Sequence, residues 1–276
     1  MSVPTAIVTG ASRGIGAAIS VALAKEGLSI ALLGRDIEAL RSVEAQILAG
    51  GGSSFVIRCD LTERASVDSA FSEVYKRCPA PTVLVNNAGV GGPFHLTTEV
   101  TDEEWDLLFA TNVRSAFWFC REFLPAMKRG GFGRIVNIAS IYGLVGGERS
   151  SSYAATKHAL IGYTRSIARE WGPFGITSNA ICPGFVMTDM HRNSAQSRSK
   201  PRLGPVGTPV GVDEVVGTVL HLTRPQAAHI NGAAIVLDGG LTAGFGFYPD
   251  MSSPDIADAL RTRGDDGGIK GPRPTP

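Results

Sequence analysis

Thr9-Gly10-Ala11-Ser12-Arg13-Gly14-Ile15-Gly16 is the stretch on which the fold of this chain is read. A short apolar run, Ala6-Ile7-Val8, precedes it, as a strand would. Residues 14–26 follow with Ile15, Ile19, Ala22 and Leu23 on one helical face. Glycines thus stand at the turn, before the helix and inside its first turn. That arrangement lets backbone N–H groups approach a pyrophosphate at the positive end of the helix. Many strand-to-helix connections need glycine, so the turn alone says little. Its place between strand and helix makes it a candidate nucleotide site, with Gly10, Ser12, Arg13, Gly14, Ile15 and Gly16 as contacts.

Strand and helix patterns keep alternating outward from this turn. Further apolar strand runs cover 28–33, 55–57, 83–85, 134–138, 176–181 and 234–237, with helical patterns over 37–48, 63–76, 153–171 and 212–222. Residues 101–128 read as one long helix with a kink near Asn112. The strands are apolar throughout, as expected of a sheet covered on both faces. The pattern predicts an α/β fold: a doubly wound, Rossmann-type parallel sheet of about seven strands in a single domain. That domain is expected over 1–245. Residues 246–276 read as a largely flexible C-terminal extension, with Ser253-Pro254-Asp255 as the start of a short helix ending near Arg261.

The 276 residues are 43% hydrophobic and 18% charged, which excludes a disordered chain and permits a large core. Net charge is +1, so no nucleic acid or membrane partner is expected. No apolar run is long enough to span a bilayer. The stretch before the first strand is too short for a signal peptide. Cys59, Cys78, Cys120 and Cys182 form no CxxC pair and read as reduced thiols of a cytoplasmic protein. His95, His158, His191, His221 and His229 lack metal-ligand spacing, so no metal is expected.

Several further motifs occur in order on these elements. They are Asn86-Asn87-Ala88-Gly89 after the fourth strand, Asn112 in the long helix, Ser140 after the fifth strand, Tyr153 with Lys157, and Pro183-Gly184 after the sixth. With the TGxxxGIG spacing of the first turn, the chain from about residue 6 to 240 resembles the short-chain dehydrogenase/reductase family. Within it, the 3-oxoacyl thioester reductases and the polyketide and secondary-metabolite ketoreductases look most similar. The tail beyond Gly244 is not part of the common pattern.

Tyr153 and Lys157 stand i, i+4 and share a helix face. An ammonium beside a phenol favours the phenolate and would draw its pKa toward neutrality, so the pair can move a proton to or from a carbonyl oxygen. Such spacing is common, and the resemblance is what gives it weight. It implies that Tyr153 is the proton donor, that Ser140 orients the carbonyl, that Lys157 also contacts the nicotinamide ribose, and that Asn112 anchors a proton-relay water. Tyr142, Ser151, Ser152 and Tyr163 are neighbours without either the post-strand position or the lysine spacing. A nicotinamide cofactor must supply the hydride, because no side chain can.

NAD enzymes of this type place an acidic residue at the end of the second strand, to bind the ribose 2′-OH. Here Gly34 holds that position and Arg35 follows; Asp36 reads as the cap of the next helix. Arg35 and Arg13 suit a 2′-phosphate, so NADP(H) is preferred and NAD(H) is the alternative. By resemblance, Asp60 with Leu61 contacts the adenine, Asn87, Ala88 and Gly89 line the adenosine ribose, and Pro183, Gly184, Val186 and Thr188 meet the carboxamide and phosphates.

A small-molecule carbonyl substrate is expected over residues 91–95, 141–148 and the loop after Gly184, against Phe94, Tyr142, Leu144, Phe185 and Met190. Arg192, Arg198, Lys200 and Arg202 make that loop basic, suited to an acidic substrate or simply solvated. Phe117, Trp118, Phe119 and Phe123 surround the long helix, as expected of a helix that pairs across a homodimer or homotetramer interface. The expected activity is NADPH-dependent reduction of a ketone. The alternatives are an NAD(P)-dependent secondary alcohol dehydrogenase and a non-catalytic dinucleotide-binding sensor, which need not keep all four of Asn112, Ser140, Tyr153 and Lys157.

Overall fold

Seven parallel strands lie in the order β3-β2-β1-β4-β5-β6-β7, in a computed structural model that describes residues 3–188 and 203–244. In chain order the elements are β1 (Thr5–Thr9), α1 (Gly14–Lys25), β2 (Ser29–Gly34), α2 (Ile37–Ala49), β3 (Ser53–Arg58), α3 (Arg64–Arg77) and β4 (Val83–Asn86). Then come α4 (Asp102–Phe109), α5 (Ser115–Gly130), β5 (Gly133–Ile138), α6 (Ser151–Trp171), β6 (Ile176–Pro183), α7 (Val212–Thr223) and β7 (Ala234–Leu237). This is the doubly wound sheet expected, in one domain.

Side chains alternate across each strand, so both faces are buried. Ile7 of β1 packs with Phe71 of α3, Phe119 and Phe123 of α5 and Ile167 of α6. Ala6 and Val8 pack on the other face, with Ile19 and Leu23 of α1, Leu40 and Val43 of α2 and Val215 and Val219 of α7. Phe71 meets Phe119 and Phe123 edge-on, at ring-centroid distances of 5.0 and 5.3 Å. Each such pair adds about 0.5–1.5 kcal/mol beyond the area it buries.

Two expectations change. Strands β1, β4, β5 and β6 are buried along their whole length, but β3 alternates and β7 is only half-buried. These two are the sheet edges, and apolar composition does not reveal which strands will lie there. The long helix is not continuous: a π-helical turn, Ala110–Arg114, interrupts it and holds Asn112, where the kink is expected. Such turns let one residue more per turn into a helix and re-aim its side chains. A capping box starts α4: Thr101 accepts from the Glu104 N–H at 3.2 Å, and Glu104 accepts from the Thr101 N–H at 3.1 Å.

The β1 and β4 connections leave in opposite directions from adjacent central strands, which opens a crevice at their C-terminal ends. Met190, Arg192, Arg198, Lys200 and Arg202, and the 246–276 extension with the helix expected after Ser253, lie outside the described residues.

Candidate active site

The first wall of the crevice is the glycine turn. Gly10 and Gly14 adopt φ of +65° and +56°, the left-handed region. A Cβ on Gly10 would lie 2.9 Å from Ala88 Cα. One on Gly16 would lie 2.2 Å from the Gly10 carbonyl oxygen and 2.4 Å from Asn87 Nδ2. The close approach is held by hydrogen bonds: Asn87 Nδ2 donates to the Thr9 and Gly10 carbonyls at 3.0 and 3.1 Å. Thr9 Oγ1 accepts from the N–H groups of Asn87 and Ala88, both at 3.1 Å. Asn87 therefore ties the β4 loop to the glycine turn. Thr9 makes the same tie, which its place in the TG pair could have suggested.

The turn leads into the N-terminus of α1, whose first N–H groups have no helical partner. Around Gly14, Thr188 is the near neighbour, 3.8 Å from where a Cβ would stand. Gly184 lies against Asp238, and Val186 makes an isolated bridge with Val210. A side chain at Gly10 or Gly16 would collide with its neighbours, and the bare backbone there can bring N–H groups up to a pyrophosphate, so these residues fit a dinucleotide. Ser12 and Ile15 follow β1, and Pro183, Gly184, Val186 and Thr188 lie at and just beyond the end of β6.

Arg13 and Arg35 are both exposed at this edge. Asp36 caps α2, accepting from the Ala39 N–H at 3.1 Å, as expected, so its carboxylate is engaged. Asp60 Oδ1 accepts from the Thr62 N–H and hydroxyl at 3.0 and 2.7 Å. The Thr62 N–H above all, then the Thr62 hydroxyl and the Arg35 and Arg58 charges, hold its carboxyl below the usual range. Leu61 beside it is buried.

Further along the crevice, Ser140 leaves β5 in extended conformation and accepts from the Tyr142 N–H at 3.2 Å. Its hydroxyl faces the Tyr153 phenol closely enough to favour the phenolate. Lys157, buried one helical turn after Tyr153, donates from Nζ to the Ile138 carbonyl at 3.0 Å. Asn112 is buried between them and the β4 loop. It accepts from the Val90 N–H at 2.8 Å and donates to the Val90 carbonyl and to Thr156 Oγ1 at 3.0 and 3.1 Å. Gly89 fits between Asn112 and Lys157, its absent Cβ 3.2 Å from Asn112 Oδ1 and 3.5 Å from Lys157 Nζ. The four residues singled out by sequence are thus brought together by β5, α6 and the π turn.

The electrostatics reverse one expectation. The Tyr153 phenol is pushed up to about 12, not drawn toward neutrality. Burial dominates, the Ser140 hydrogen bond opposes it, and the neighbouring Tyr142 adds to it. The Lys157 ammonium, 5.5 Å from the ring centroid, is itself lowered by burial from 10.5 to about 8. Burial disfavours the charged form of both groups.

By spacing Tyr142 is only a neighbour, yet its ring lies edge-on to Tyr153, with centroids 6.0 Å apart at 82°. Tyr163 is elsewhere, its ring edge-on to Phe117 of α5 with centroids 6.3 Å apart. Sequence reasoning also misses Thr156, whose position three residues after Tyr153 puts it beside Asn112. All four cysteines are buried and unpaired. Among the described residues no cluster of His, Cys, Asp or Glu could hold a metal, and no helix is long and apolar enough to cross a membrane.

Residues 4–199 match the model of the short chain dehydrogenase family, and the chain belongs to it. It is 35% identical over 259 residues to D-beta-hydroxybutyrate dehydrogenase of Rhizobium meliloti (strain 1021), covering 87% of this chain and 98% of that one. It is 35% identical over 240 residues to the 3-oxoacyl-[acyl-carrier-protein] reductase FabG of Staphylococcus aureus (strain Mu50 / ATCC 700699), covering 86% and 97%. Among solved structures it resembles a single-residue variant of actinorhodin polyketide ketoreductase with NADPH, with a TM-score of 0.81 and 34% identity, over 87% of this chain and 97% of that one. The protein is accordingly an oxidoreductase that binds NAD(P) and acts on CH–OH/C=O groups of small molecules.

Proposed function

We propose that the protein reduces a ketone of the β-ketoacyl or secondary-metabolite type to a secondary alcohol with NADPH. Bound at the glycine turn, the cofactor supplies hydride to the carbonyl carbon. Tyr153 gives its proton to the carbonyl oxygen, and the Ser140 hydroxyl holds that oxygen by a hydrogen bond. Lys157 anchors this end of α6 to β5 and reaches toward the cofactor ribose. Asn112 holds the Val90 backbone, and with it the β4 loop, in register.

The observation that carries this reading is the convergence of Asn112, Ser140, Tyr153 and Lys157 beside the end of β5, with Lys157 Nζ on the Ile138 carbonyl at 3.0 Å and Gly89 fitted between Asn112 and Lys157. A phenol raised to about 12 stays protonated at neutral pH and is ready to donate to a carbonyl oxygen. The test is incubation with NADPH and a panel of ketones and β-ketoacyl thioesters. Reduction of some panel members supports the reading, and oxidation of secondary alcohols alone would replace it with the dehydrogenase.

The same reading gives a pH profile. Lys157, at about 8, carries its charge below that pH and loses it above. Reduction should therefore decline as pH rises through about 8, while Tyr153 remains protonated throughout. The Lys157→Met variant should be slow on both sides, with no such limb. A wild-type kcat/KM that stays flat through that pH would remove Lys157 from the mechanism.

NADP(H) preference rests on Gly34 at the acidic position, the engaged Asp36 and the exposed Arg13 and Arg35. Arg35→Asp replaces a charge-assisted phosphate contact by repulsion, which should shift the NADPH-to-NADH affinity ratio about ten- to a hundredfold toward NADH. Fluorescence titration with both cofactors reads the ratio, and no change would place discrimination elsewhere.

Homodimer or homotetramer assembly belongs to the same reading. Phe119 and Phe123 are spent on the chain's own core, but Phe117 is 40% exposed beneath Arg121. Trp118 is covered by Arg64 and Arg114. Trp105 and Leu107 of α4, 43% and 50% exposed, extend the apolar surface.

A further inference from the structure

Tyr142 is fixed in place from three sides. Its N–H donates to Ser140 Oγ at 3.2 Å, so its backbone is tied to the residue expected to hold the carbonyl. Its ring stands edge-on to Tyr153, at 6.0 Å and 82°. Gly147, from the loop before α6, closes against the ring: a Cβ there would lie 2.2 Å from Cε1 and 3.0 Å from Cζ. Tyr142 is nonetheless only half-buried. Gly92, whose Cβ would be 3.3 Å from Tyr153 Cβ, packs against the base of the Tyr153 side chain. Phe94, two residues on, holds a φ of 58°, a strained conformation for a bulky residue that needs support from its surroundings.

We infer that Tyr142 is the specificity-determining residue of the site and selects ketones that present a flat, unsaturated face, such as an aryl or conjugated ring, beside the carbonyl. The inference rests on the ketoreductase reading. A rigid aromatic ring beside the proton donor leaves a slot with one flat wall. A planar group lies along that wall and gains ring–ring contact, whereas a puckered saturated ring of the same size keeps its axial hydrogens against it. The hydroxyl of Tyr142 is not required for this; the ring and its position are.

The test compares two methyl ketones of matching size, acetophenone and cyclohexyl methyl ketone, by kcat/KM with NADPH. Wild type should prefer the aryl ketone. Tyr142→Leu keeps the bulk but not the flatness, and should lower the aryl-to-cyclohexyl ratio by about tenfold. Tyr142→Phe should keep the ratio. Gly147→Ala leaves the aromatic residue present but must push its ring aside, and should lower the ratio as well. A Tyr142→Leu enzyme that still reduces ketones with the wild-type ratio overturns the inference and leaves the ketoreductase reading intact. A wild-type ratio at or below one also overturns it. Wild type that turns over neither these two nor any other ketone overturns both.

Discussion

Tyr153→Phe should lower ketone reduction by about a hundred- to ten-thousandfold, the range for loss of a positioned general acid. The substitution removes one oxygen and leaves the ring. Its edge-on contact with Tyr142 and the Gly92 fit both involve carbon atoms and survive. The glycine turn is on other strands, so NADPH affinity should remain close to wild type. Single-turnover rates and fluorescence titration on the same preparation separate the two quantities. Half the wild-type rate in the variant would show that the proton comes from another group. A parallel loss of NADPH affinity would show that the hydroxyl serves binding instead.

Gly16→Ala is the second large effect, and it acts through packing. An alanine Cβ would stand 2.2 Å from the Gly10 carbonyl oxygen and 2.4 Å from Asn87 Nδ2. Both are held there, the first by backbone and the second by its bonds to Thr9 and Gly10. The turn has to open and the β4 loop has to part from it. Overpacking of this kind costs about 1–3 kcal/mol. The space for the dinucleotide changes with it, so NADPH affinity should fall by at least roughly tenfold. Gly162→Ala is the control: it lies within α6, and a Cβ there meets nothing within 4 Å. That change should raise stability by about 0.5–1 kcal/mol, because alanine loses less entropy in a helix than glycine. Thermal melts and NADPH titration of both variants check the contrast, and indistinguishable behaviour would contradict it.

The alternating apolar runs and the glycine turn are enough to read a parallel, doubly wound sheet, because those signals are local. Tyr153 and Lys157 are readable for the same reason, since helical spacing alone puts them on one face. Other features depend on distant parts of the chain. That β3 and β7 are the edges follows from the strand order, which no stretch of apolar residues records. The π turn at Asn112 coincides with its bonds to Val90 and Thr156, partners distant in the chain, and only an irregularity near Asn112 is visible in the sequence. Tyr142 reaches Tyr153 through the short turn at Ile141–Gly143, a placement unrelated to its spacing from Lys157. The direction of the Tyr153 shift depends on burial, and residue spacing carries no measure of that.

The most direct measurement follows deuterium from NADPH labelled at the transferring position of its nicotinamide ring into the product of a ketone that the enzyme turns over. The expected product is a secondary alcohol with deuterium on the carbinol carbon, formed by the wild type and essentially absent with Tyr153→Phe. Unlabelled alcohol, or labelled alcohol formed equally well by Tyr153→Phe, would contradict hydride transfer with Tyr153 as the proton donor.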